Sequence, residues 1–110
     1  MEEKILIVVT TLPDRDHAAR LARILVERRL AACAQVSGPI TSTYWWQGKV
    51  EEDEEWQLKA KTCRDKFQEV CDAIKENHPY ELPQIVALPL AGTLDEFAGW
   101  IVSECGCSQE

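Results

Sequence analysis

Apolar residues along this chain follow two different periods. Ile5-Leu6-Ile7-Val8-Val9 form an unbroken run bounded by Thr10, Thr11 and Pro13, which predicts a strand buried on both faces. Asp14 then predicts the cap of a helix running to about Leu30. Along it Ala18, Leu21, Ala22 and Leu25 recur at helical spacing as a core-facing stripe, with Arg15, Arg20, Arg23, Arg28 and Arg29 on the remainder. Gln35 to Gly38 and Ile40 to Trp46 read as one strand bent at Gly38-Pro39. Gln47-Gly48 is the tight turn, and a return strand runs from Lys49 towards Thr62, with Trp56, Leu58 and Ala60 alternating against Gln57, Lys59 and Lys61. The adjacent carboxylates of Glu51 to Glu55 repel one another and predict a bulge or frayed end there, and they guard the arm against edge-to-edge association. Asp65 predicts the cap of a second helix whose Phe67, Val70, Cys71 and Ile74 face inward. Pro79 stops that helix near His78, because proline drives the preceding residue out of the helical region. Pro83 keeps the chain extended into a last strand, Ile85 to Leu90. Thr93-Leu94-Asp95-Glu96 has the form of a capping box for a third helix, with Leu94, Phe97, Ala98, Ile101 and Cys105 on one side and Gly106 at its end.

The order β-α-β-β-α-β with a further helix is the ferredoxin-like arrangement. It is an α+β fold with an antiparallel sheet and two main helices on one face. The expectation is one domain over residues 1–110, with 105–110 a frayed polar tail. Such a sheet should alternate covered apolar positions with wet ones, yet both outer runs are apolar throughout and Tyr44-Trp45-Trp46 puts rings on both sides of the hairpin. Each large ring buries ~150–250 Å², too much to leave in water. The third helix covers only part of the second face. Other copies of the chain must cover the rest, through an interface that includes Tyr44, Trp45 and Trp46.

Composition narrows the partners. A net charge of −7 argues against nucleic acid or an anionic membrane. The start, Met1-Glu2-Glu3-Lys4, has no basic leader and no run reaches membrane-spanning length, so the chain reads as cytoplasmic. Five scattered cysteines without a CxxC pair are expected to stay mostly thiols there, Cys105 and Cys107 included. Cys33 and Cys71 read as small buried hydrophobes.

The connector His78-Pro79-Tyr80-Glu81-Leu82-Pro83-Gln84 crowds imidazole, phenol and carboxylate onto a stiff turn. Two readings stay open: a rigid turn with solvated polar groups, or a ligand site. Glu55, Lys61, His78, Tyr80 and Glu81 are candidates to line a small-molecule cleft at a subunit boundary. The chain carries no Gly-rich phosphate loop, G-x-S-x-G or HExxH, and no cysteine–histidine pairing follows from spacing, so a non-enzyme is expected.

Several co-linear motifs resemble the CutA divalent-cation tolerance family. They are Thr10-Thr11-Leu12-Pro13-Asp14, Arg29-Leu30-Ala31-Ala32-Cys33, Tyr44-Trp45-Trp46-Gln47-Gly48-Lys49, Glu55 through Lys61-Thr62, and His78-Pro79-Tyr80-Glu81-Leu82-Pro83, spread over residues 4 to 101. The resemblance implies a homotrimer joined by its hairpins, and weak Cu²⁺ binding centred on His78. Thr10 and Asn77 stand where fuller copper sites of the family have a cysteine and a second histidine, and Gln84 replaces a usual glutamate. CutA proteins look like the PII signalling trimers. This supplies the alternative, an effector-binding cleft between subunits with Gln84 added to its lining.

Overall fold

In the computed structural model, which describes residues 4–108, the order is β1 (Ile5–Leu12), α1 (Arg15–Glu27), β2 (Cys33–Trp46), β3 (Lys49–Cys63), α2 (Phe67–Asn77), β4 (Val86–Pro89) and α3 (Asp95–Cys105). A 3-10 turn, Arg64–Lys66, leads from β3 into α2. The sheet order is β2-β3-β1-β4 with every neighbouring pair antiparallel. This is the expected α+β ferredoxin-like architecture with an added C-terminal helix.

Asp14 caps α1 by accepting the His17 N–H at 2.8 Å. Below it, Ala18, Leu21 and Leu25 meet Val70, Ala73 and Ile74 of α2 over Val8, Leu12, Leu58 and Ala60 of the sheet. On the opposite face Ile5 and Cys63 pack with Ile101, Cys105 and Cys107. β1 is therefore enclosed from both sides, as its apolar run predicts. Cover on the second face is partial: Val86 and Leu88 on β4 are 45% and 57% exposed, opposite Val9 and Ile7 of β1.

Below Trp56, β2 and β3 run on as a two-stranded arm, because β1 ends at the Leu12–Trp56 pair. Gln47 and Gly48, both with positive φ (49° and 79°), close the tip. The arm helps stretch the molecule to 46 Å along its longest axis. An isolated hairpin is marginal in water, and Trp45 at its side is 74% exposed.

Five expectations need correction. The carboxylate run neither frays nor bulges, since Lys49 to Glu55 hold register with Ile40 to Trp46. Successive side chains point to opposite faces, and the Tyr44 hydroxyl donates to the Asp53 carboxylate. The irregularity lies across the ladder, between Ser37 and Ile40. Asp65 does not cap α2: the 3-10 turn precedes the helix, and the Asp65 carboxylate accepts the Ser108 N–H at 3.4 Å instead. The capping box does not form, because Leu94 itself is the cap residue, without a side-chain bond. Leu94 and Phe97, expected inward, face solvent, and Phe97 stacks on Trp100 at 5.5 Å. α3 is anchored by its second half, through Ile101 and Cys105.

The fifth correction concerns the cysteines. Cys63 and Cys107 form a disulfide across 44 residues, with Cα atoms 6.5 Å apart. Cys33, Cys71 and Cys105 are free, and Cys105 is buried while the other two are half-buried. The tail through Ser108 is thus held rather than frayed, with the Cys107 N–H donating to the Val102 carbonyl at 3.0 Å. The last two residues of the expected tail lie outside the described residues.

Gly38 is fixed by a neighbour. A Cβ there would stand 2.8 Å from the Trp56 indole, below any real contact. Gly38→Ala is expected to destabilise the fold by about 1–3 kcal/mol, read as a lowered denaturation midpoint at constant protein concentration. An unchanged midpoint would show that the indole moves aside freely.

Candidate functional site

Where the arm leaves the sheet, the connector after α2 folds against it and leaves an open cleft of about 700 Å³. Thr11 at the end of β1 forms its floor. Tyr44, Trp46 and Glu55 come from the arm, and Tyr80, Glu81, Leu82 and Gln84 from the connector. All five residues from Ser42 to Trp46 line the cleft, Ser42, Tyr44 and Trp46 from one side of the strand and Thr43 and Trp45 from the other. Pro79 explains the connector's share, since it ends α2 at Asn77 and leaves His78 in an extended conformation (φ −99°, ψ 137°).

Glu55 is the electrostatic centre of the cleft. It is buried to 7% exposure although it carries a carboxylate, and the Tyr80 hydroxyl donates to its Oε2 at 2.7 Å. Burial, then that hydrogen bond, push the Tyr80 phenol above its ordinary range, so it stays a donor. The Tyr44 phenol is pushed up to about 12, chiefly by its hydrogen bond to Asp53. Two neutral phenols thus face acidic partners across one cleft, which makes the wall rich in oxygen donors.

His78 stands behind that wall. The Tyr80 N–H donates to its Nδ1 at 3.1 Å, so the ring proton sits on Nε2, which donates to the Thr11 carbonyl at 2.8 Å. Its ring also lies against that of Tyr80, with centroids 4.8 Å apart. Both nitrogens are engaged, and no lone pair faces the cleft. Burial holds the His78 pKa below 6.5, while the Thr11 hydrogen bond and the Glu55 charge pull it upward less strongly.

Of the residues singled out from sequence, Glu55, Tyr80, Glu81 and Gln84 come together in the cleft. Lys61 does not: it is on β3, six residues from Glu55, and its Nζ donates to Gln35 Oε1 at 2.9 Å. Thr10, where the resemblance implies a copper ligand, is fully buried, and its Oγ1 has no hydrogen-bond partner among the described residues. Asn77 donates to the Ala73 carbonyl at 2.9 Å, within its own helix. Sequence reading missed Thr11, Ser42 and Thr43 as parts of the lining, and Tyr44, Trp45 and Trp46, expected at an interface, line the cleft as well.

An antiparallel α+β subunit with an acidic cleft beneath a protruding arm defines the structural class. Residues 6–104 match the family model described as CutA1 divalent ion tolerance protein. A relative from Thermus thermophilus, named divalent-cation tolerance protein CutA, is 42% identical over 96% of this chain and 100% of its own length. The crystal structure of CutA from Xylella fastidiosa superposes with a TM-score of 0.90 at 35% identity, covering 93% of this chain and 98% of that one. A structure from Archaeoglobus fulgidus, described as a periplasmic divalent cation tolerance protein CutA, gives 0.89 at 39% identity over 92% of this chain and 98% of that one. The chain belongs to the CutA1 divalent ion tolerance family. Among the described residues no helix is long and apolar enough to cross a membrane.

The lowered His78 pKa has a defined consequence. Above 6.5 the imidazole is neutral folded or unfolded; as pH falls below 6.5 the unfolded chain takes the proton first, and this share of stability is lost through the lower folded pKa. Between about pH 7 and about pH 5, wild type should therefore lose more stability than His78→Gln, measured by denaturant unfolding. Parallel pH profiles would contradict this assignment.

Proposed function

We propose that this chain works in divalent-cation tolerance as a cytoplasmic homotrimer, binding an ion rather than turning over a substrate. The cleft beneath the arm is its working site. The observation that carries this reading is Glu55, a carboxylate held buried at an open cleft by one phenol, with Glu81 on the facing connector. A buried charge is costly unless paired or bound to a cation. The Tyr80 hydroxyl meets one oxygen, and a divalent ion bridging Glu55 and Glu81 would meet the other.

Membership of the tolerance family supports the cation, and the uncovered arm supports the trimer. Cu²⁺ is one such ion. Its binding is weak on this reading, because the His78 imidazole reaches a metal only by giving up Thr11 or Tyr80. Carboxylate and phenol oxygens are poorer copper donors than imidazole or thiolate. No observation favours a PII-like effector, and Lys61, one of the residues expected to line an effector cleft, lies off it.

Isothermal titration with Cu²⁺ tests this against Glu55→Gln and His78→Ala. Glu55→Gln should abolish the heat of binding, and His78→Ala should leave it largely in place. A wild type that binds no cation, or loss confined to His78→Ala, would overturn the assignment.

A further inference from the structure

Away from the cleft, at the other end of the sheet, three sulfurs converge. The Sγ atoms of Cys63, Cys105 and Cys107 all lie within 4.8 Å of one another, and all three residues are buried. Their meeting follows from backbone geometry. Cys63 is the last residue of β3, pinned opposite Ile5 of β1. Cys105 ends α3, and Gly106 takes the left-handed conformation (φ 64°) that turns the chain back on itself. The Gly106 N–H donates to Ser103 at 3.2 Å and the Cys107 N–H to Val102 at 3.0 Å, so the tail folds over the last helical turn. Two cysteines flanking the turn are thereby set beside the strand cysteine, among Ile5, Ile101, Leu90 and Val102.

A stapling disulfide needs two of these sulfurs, and the third has no part in it. Cys105 keeps a free thiol next to the bond, and its closest polar neighbour, Thr62 Oγ1, is 3.9 Å away and already donates to the Leu30 carbonyl. Both tail cysteines lie beyond residues 6–104, the span that matches the family model.

We propose that the reduced form of this cluster is a Cu(I) site of three thiolates, separate from the cleft. Opening it takes two electrons and two protons from a dithiol reductant: the Cys63–Cys107 bond breaks, two thiols form, and the dithiol closes into its own disulfide. Cu(I) then replaces three S–H protons with three Cu–S bonds, and the copper oxidation state does not change. The cation is chosen by donor type and number. Thiolates select Cu(I) and zinc, but a structural zinc site takes four protein ligands, and this cluster offers three. The apolar wall keeps water off the metal, and Cys107, the least buried of the three at 9% exposure, lies on the way in.

The test uses the full chain, reduced with dithiothreitol, desalted under nitrogen, and titrated with Cu(I) against a chromophoric Cu(I) chelator. Wild type should take one Cu(I) per chain from the chelator, with three Cu–S bonds by X-ray absorption. The oxidised chain should take none at the cluster. Cys105→Ser and Cys107→Ser should each lose the ion at a chelator concentration that leaves wild type loaded. The double variant Cys33→Ser, Cys71→Ser should keep it. Circular dichroism of each reduced protein separates a lost site from a lost fold, and Cys107→Ser, altered only in the tail, guards against failure of the buried Cys105 variant. Reduced wild type that leaves all Cu(I) with the chelator would overturn the proposal. So would folded Cys105→Ser and Cys107→Ser variants that hold it as wild type does.

Discussion

A pleated sheet has two faces, and this chain carries enough helix to cover one of them fully. α1 and α2 close the first face over Val8, Leu12 and Leu58, while α3 reaches the second only at the end marked by Ile5 and Cys63. Val86, Leu88, Trp100 and the rings of Tyr44, Trp45 and Trp46 remain uncovered. Hydrophobic burial is the dominant favourable term in folding and association, so this unfilled area sets the terms for everything else. It explains why a two-stranded arm, marginal alone, persists in the sequence.

The arm and the connector are built as one unit. Tyr80 ties the connector to Glu55 on β3, and His78 ties it to Thr11 on β1. Each bond uses a polar group that burial would otherwise leave unsatisfied, which is costly in a low-dielectric setting. The Thr11 carbonyl and the Tyr80 N–H occupy both imidazole nitrogens, while the Tyr80 hydroxyl meets one oxygen of the Glu55 carboxylate.

Much of the fold was legible because period and punctuation agreed. The β1 run, the α1 stripe from Ala18 to Leu25, the Gly38-Pro39 break and the Gln47-Gly48 turn each joined a residue type to one backbone state. Local capping was less legible. Asp65 and Thr93 have the right side chains for caps, but a 3-10 turn and the Leu94 backbone took those positions. Glu55, Tyr80, Glu81 and Gln84, singled out from motif and neighbourhood, line one cleft, whereas Lys61 turns to Gln35 on the neighbouring strand. The Cys63–Cys107 bond joins residues 44 apart through the sheet's topology, which no local pattern encodes.

The central claim, that the sheet's second face and the arm are completed by further copies of the chain, is tested most directly by analytical ultracentrifugation at micromolar concentration. The account predicts one folded species of three chain masses, with no folded monomer on dilution. A well-folded species of a single chain mass would contradict it.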